Sequence, residues 1–269
     1  QDQSKRWEFF SIIFDLFHIC RKLCMDFVTN KASPEDSMLW YQLGMALNEE
    51  QGEDASIEAL SQGLVYNPFS AQLYFGRGRR FIKKRCYWHC IADMTMAIRL
   101  QPEVWNYFYY RAVAENLNGQ SEDAIADFME CFKLTEPCEH YPLVDWLFIC
   151  CLAQNNRERA KEMLDLIDAN IIPPAMDYAY WRRVQLYKGI IQPEELMDVE
   201  HIKKHCLQLP NRVQLEIEPL TFGLFVYYNY IDDQEKANET LLKIASFKPS
   251  AAFGYLKGTA IARERGLID

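Results

Sequence analysis

No stretch of this chain is apolar enough to cross a bilayer. Its most apolar run, Phe9 to Cys20, is interrupted by Asp15 and His18, whereas a membrane helix needs about 20 predominantly apolar residues. Basic residues are also in deficit: 29 Lys and Arg face 38 Asp and Glu, a formal net charge of -9. That argues against a nucleic-acid or other polyanion binder, because such affinity draws on a surface that neutralises phosphates. The 11 glycines form no phosphate-cradling loop, no serine sits in a nucleophile elbow, and spacing singles out no carboxylate pair. The sequence therefore implies no catalytic residue and no cofactor. Disorder is not indicated either, since 49% apolar and 25% charged residues is ordinary globular composition.

Nine cysteines are an odd number for a disulfide framework. Cys20, Cys24, Cys90, Cys131, Cys150 and Cys151 fall inside apolar helical runs rather than at loop positions, where they act as small buried hydrophobes. This favours a reducing, cytoplasmic compartment. The chain opens at Gln1 without a Met, as a trimmed or mature form would, so an extracytoplasmic location with a signal or anchor removed is the alternative.

What is present is a repeat. Tyr74, Gly78, Phe81, Cys90, Met94, Ala97 and Pro102 occur at spacings that Phe108, Ala112, Glu115, Ala124, Phe128, Cys131 and Glu136 reproduce about 34 residues later, the period of a helix-turn-helix unit. The same frame fits Trp40, Leu43, Gly44 and Leu47, then Ser56, Leu60 and Gly63, closed by Pro68. Small residues at Gly44 and Ser56 would let paired helices approach closely.

These residues resemble the tetratricopeptide repeat, and the resemblance implies an all-α, right-handed superhelical solenoid of antiparallel helix pairs. Its expected layout is a lead-in helix over 1–36, with Trp7, Phe10, Ile13, Phe14 and Phe17 on one face. Repeats follow at 37–70, 71–104, 105–138 and 141–174, then an irregular one at 175–210 and a last at 218–250. A capping helix closes the chain at 251–269, its Lys257, Arg263, Glu264 and Arg265 suited to solvent. The fourth unit departs from the pattern, carrying Phe148 where a small residue is usual. Leu186-Tyr187-Lys188-Gly189 with Pro193-Glu194-Glu195, and Ala252-Phe253-Gly254-Tyr255, look like segments of a group of bacterial tetratricopeptide proteins of unassigned function.

In that family the first helix of each pair lines a concave groove. Mapped onto this chain, the groove collects Tyr41 and Met45, then Phe75, Arg79 and Ile82, then Asn106, Tyr109 and Val113, and later Tyr178, Trp181 and Gln185. Aromatic surface with scattered polar and cationic groups suits an extended peptide or a partner helix. The run Arg77 to Arg85 is the sharpest charge feature. Arg79 and Lys83, four apart, share the groove side, while Arg77, Arg80 and Lys84 lie elsewhere. Arg79 and Lys83 can receive an acidic peptide segment, or the run can offset acidic residues of adjacent units such as Glu49, Glu50, Asp123 and Asp127. Some co-chaperone members clamp a C-terminal carboxylate with Lys and Asn, but the corresponding first positions here are Tyr41 and Met45.

His201 and His205, followed by Cys206, have the spacing of a helical zinc pair, although no Glu follows His201 and the metalloprotease signature is missing. Metal is not expected. The predicted activity is a non-enzymatic protein-interaction scaffold that holds a peptide or partner helix on Tyr41, Met45, Phe75, Arg79, Lys83, Asn106, Tyr109 and Trp181. A peptide- or ligand-sensing regulatory domain of a larger protein is the runner-up, and an enzyme on a helical-repeat body comes last.

Overall fold

A computed structural model describes residues 36–50, 52–205, 212–250 and 252–269. The expected lead-in helix, Cys20, Cys24 and Cys206 lie outside these residues. Among the described residues there is no strand. The helices are α1 (Ser37–Glu50), α2 (Glu53–Tyr66), α3 (Ala71–Lys83), α4 (Tyr87–Leu100), α5 (Trp105–Leu117), α6 (Ser121–Leu134) and α7 (Tyr141–Ala153). They continue with α8 (Arg157–Leu164), α9 (Tyr178–Tyr187), α10 (Pro193–Leu196), α11 (Val199–His205), α12 (Arg212–Tyr230), α13 (Gln234–Ala245) and α14 (Phe253–Glu264).

Local chemistry starts and stops these helices on the repeat's period. Ser70, Asn156 and Asp233 act as N-caps, each side chain accepting from a backbone N–H of the first turn. Pro193 opens α10 within a capping box formed by Gln192 and Glu195. Residues with positive φ follow the first helix of successive pairs: Gly52, Arg85, Gly119, Asn155, Gly189, Asp232 and Gly266. They recur at steps of about 34 residues, with one longer step between Gly189 and Asp232. From Arg85 onward the residue after each donates its N–H to the carbonyl five positions back, as Cys86 does to Phe81 at 2.9 Å and Leu267 to Ala262 at 2.9 Å. This is the Schellman closure that ends a helix and turns the chain.

The chain forms two compact units, one ending at Ala114 and the other running from Glu115 to Asp269. In the first, α1 packs on α2 and α3, and α3 packs on α4. Its core gathers Leu39, Trp40, Leu43, Leu47, Ala59, Leu60, Leu64 and Leu73. Tyr66 stacks on Trp40 with ring centroids 5.9 Å apart. The small slots serve close approach: a Cβ on Gly44 would lie 2.6 Å from Leu60 Cγ, and one on Gly63 2.6 Å from Trp40 Cβ.

The second unit is built around α7, in which every residue from Leu143 to Cys151 is buried. Apolar all round except for Asp145, this helix has no solvent face to present, so it forms the centre of its unit. It packs on α6, α8 and α9, while α12 packs on α9, α13 and α14. Phe148, out of pattern for the repeat, is fully buried. It stacks on Tyr187 at 4.6 Å and meets Tyr230 edge-on at 5.2 Å, so the larger ring is absorbed by aromatic neighbours.

Candidate partner-binding site

The first helices α1, α3 and α5 carry most of the residues that the repeat mapping assigns to the groove. Tyr41 and Met45 are half-buried on α1 and pack on the apolar core. The Tyr41 ring covers the backbone at Gly76, where an added Cβ would stand 3.0 Å from Tyr41 Cε2. Phe75 on α3 lies 5.2 Å from the Tyr107 ring and 5.5 Å from that of Tyr110. Over this cluster sits the Arg79 guanidinium, 5.4 Å from the centre of Phe75 and 5.0 Å from that of Tyr110. Asn106 is half-buried on α5, and Tyr109 is buried, meeting Trp105 and Tyr110 edge-on. Tyr110, which the mapping passes over, is thus a principal support of Arg79.

The other residues of the mapping are placed differently. Ile82, Val113 and Tyr178 are buried and belong to the packing. Lys83 is exposed and pairs with Glu53 at 3.3 Å. Trp181 belongs to the second unit, on α9, where it meets Tyr178 edge-on at 6.1 Å and lies 6.3 Å from His201.

Within the basic run, carboxylates engage several of the charges. Arg77 donates through Nε and Nη2 to the two oxygens of Asp93, at 2.9 and 2.7 Å, and through Nη1 to Ser61. Burial works against the Arg77 charge, but Asp93 outweighs it and holds the guanidinium above its ordinary pKa; burial likewise raises Asp93 in spite of Arg77. Lys84 pairs with Asp54. Of these partners, Glu53 and Asp54 belong to the adjacent repeat unit, and Asp93 to the same unit as Arg77. Arg79 has no carboxylate partner among the described residues, so its charge is balanced by ring faces.

Arg80 corrects the helical-wheel reading that sets it apart from this face. It is buried, and its Nη2 donates to Met45 Sδ at 3.6 Å, bringing it beside the α1 residues. Its Nε has no hydrogen-bond partner. Burial first, and then the charge of neighbouring Arg79, lower its pKa. The sequence signal for this was Gly76, one turn earlier on the same stripe, whose missing side chain lets α1 close in.

The histidine pair finds other company. His201 Nδ1 is 2.7 Å from the Tyr178 hydroxyl, and the side chain of His205 lies outside the described residues. No cluster of three or more metal-ligating side chains occurs among the described residues. Six cysteines are described and all are free thiols; burial pushes Cys150 up to about 12 and raises Cys131. No described helix is long and apolar enough to cross a membrane.

No protein-family model matches the chain, and no curated protein does. Among solved structures, YrrB, described as a TPR protein with an unusual peptide-binding site, aligns over 91% of this chain and 99% of its own at 14% identity, with a TM-score of 0.50. PilF of Pseudomonas aeruginosa aligns over 84% of this chain and 97% of its own at 14% identity, with a TM-score of 0.47. MamA covers 61% of this chain and 86% of its own at 15% identity, also with a TM-score of 0.47. At such identities the YrrB likeness speaks for the fold: the chain has the tetratricopeptide-repeat fold that its spacing implies.

Proposed function

We propose that this tetratricopeptide-fold chain is a non-enzymatic protein-interaction scaffold, and that its first unit holds an extended peptide segment. The contact face comprises Tyr41, Met45, Phe75, Arg79, Asn106 and the edge of Tyr109, with Lys83 at its margin; Trp181, in the second unit, is a candidate contact of that unit by itself. The observation that carries this reading is Arg79. It is half-buried on the rings of Phe75 and Tyr110 and has no carboxylate partner among the described residues, while Arg77, Lys83 and Lys84 each have one. A cation held by rings keeps its N–H edge available, and a carboxylate of an acidic segment satisfies it with charge-assisted hydrogen bonds. Half-buried aromatic surface beside it suits the apolar side chains of the same segment. The peptide-binding site for which YrrB is described is consistent with this use of the fold. Six free thiols, mostly buried, fit a reducing compartment.

Selection from a random peptide library on the purified chain tests the reading. Recovered peptides should share an acidic position flanked by apolar ones. Arg79→Glu should weaken them at least tenfold, and Lys133→Glu, on an exposed surface of α6, should leave them unchanged. Peptides that bind the Arg79→Glu protein as tightly as the wild type would remove this face from the account.

A further inference from the structure

The second unit contains a polar group that the scaffold reading does not use. Arg183 on α9 is buried, with a side chain 3% exposed, and the faces of its guanidinium lie over two rings, 5.4 Å from the centre of Tyr180 and 5.4 Å from that of Phe222. Two of its N–H edges are engaged. Nη2 donates to Asp145 Oδ2 at 2.5 Å, and Nε donates to the Tyr187 hydroxyl at 3.3 Å. Nη1 has no acceptor among the described residues, yet it is not one of the polar atoms sealed from solvent without a partner. Arg183 lines a cavity of about 200 Å³ together with Trp146, Tyr180, Pro219, Phe253 and the start of α14 at Ala252 and Gly254. The string Ala252-Phe253-Gly254, singled out in the sequence, thus forms one wall.

We propose that this cavity is a binding site for a small uncharged molecule, a flat apolar body carrying one carbonyl group whose oxygen accepts from Arg183 Nη1.

Each property follows from the lining. Apart from Arg183 the walls offer aromatic rings, proline and small residues, and a cavity of about 150 Å³ is already known to admit a benzene-sized ring. A pure hydrocarbon would fill the space but leave Nη1 unpaired in apolar surroundings, which costs on the order of a lost charged hydrogen bond. A carboxylate would meet an arginine whose charge Asp145 already balances, adding an uncompensated negative charge to a buried site. An ammonium would face the guanidinium itself. A neutral acceptor satisfies the donor without changing the charge of the pair. Gly223 holds the geometry, because a Cβ there would stand 2.4 Å from Arg183 Cγ.

Isothermal titration of the full chain with four ring compounds of matched size decides the matter: benzamide, toluene, benzoate and benzylamine. Benzamide should bind saturably and at least tenfold more tightly than each of the others. Ala252→Trp places a large side chain in the cavity and keeps both Arg183 and Asp145, so it should weaken benzamide at least tenfold while the urea midpoint stays near that of the wild type. Arg183→Met with Asp145→Asn, which removes both charges together, should reduce benzamide to the affinity of toluene. The proposal is overturned if benzamide does not saturate, if benzoate or toluene equals it, or if the Ala252→Trp protein, folded by the same urea criterion, binds it as the wild type does. Peptide binding to the first unit is measured separately and stands or falls on its own.

Discussion

Arg80 in the first unit and Arg183 in the second are both buried, at 5% and 3% residue exposure, and they manage their charge by opposite means. Arg183 has an aspartate at its Nη2, a hydroxyl at its Nε and the rings of Tyr180 and Phe222 close to its guanidinium. Burial opposes its charge, but Asp145 and Tyr187 prevail and hold its pKa above the ordinary value. Arg80 has a thioether sulfur and no carboxylate hydrogen-bonded to it among the described residues; burial, then Arg79 beside it, lower its pKa although Glu53 opposes them. The difference teaches which of the two is structural. A buried guanidinium paired with a buried carboxylate ties together the helices that carry the two, whereas one with an unmatched Nε leaves α1 and α3 held mainly by apolar contact.

The strongest way to break this contrast is to remove one member of the matched pair. Asp145→Ala leaves a fully buried cation without its counter-charge and should cost about 3–5 kcal/mol in urea unfolding. Arg80→Met, which replaces a poorly paired cation by a side chain of similar length, should cost nothing or stabilise slightly. If the two substitutions cost the same, the contrast fails.

The pH dependence sharpens it. Burial pushes Asp145 up to about 6 although Arg183 opposes the shift. The native state therefore holds this proton more tightly than the unfolded chain, whose aspartates titrate near 3.9. Stability from this group is present below about pH 4 and is lost as pH rises through 6. The stability of the wild type minus that of Asp145→Asn should accordingly fall between pH 4 and 6 and level off above. A difference independent of pH would refute the assignment.

Smaller effects test the packing around each arginine. Gly223→Ala forces a Cβ to 2.4 Å from Arg183 Cγ, within a buried network, and should destabilise by about 1–3 kcal/mol. Gly76→Ala meets the edge of the Tyr41 ring at 3.0 Å and the end of the Leu60 side chain at 3.3 Å. There the gain in helix propensity of about 1 kcal/mol offsets the contact, and thermal melts should show little change. Least of all is expected from Lys84→Ala, because its pair with Asp54 is solvent-exposed and screened.

Much of the fold was legible because its signals are local. Gly52, Gly119, Asn155 and Gly189 occupy left-handed turn positions that the spacing alone marks. Gly44 and Ser56 sit in slots where a small residue admits the facing helix. Arg85 and Asp232 were less legible, since neither residue type announces a left-handed turn as glycine does. The site was read less completely. Phe75 and Arg79 do meet, with Tyr107 and Tyr110, but Tyr110 and the place of Arg80 were missed, because a helical wheel tracks Cα directions and not the reach of a long side chain.

By itself the sequence determined the all-helical class, the period of about 34 residues and the places where helices begin and end, because capping, turns and close approach depend on neighbours a few residues apart. Only the tertiary structure decided which charges meet. Asp145 and Arg183 are 38 positions apart, and Lys84 and Asp54 are 30 apart. At such separations pairing is selected by the packing of whole helices and by the need to match a charge once it is buried.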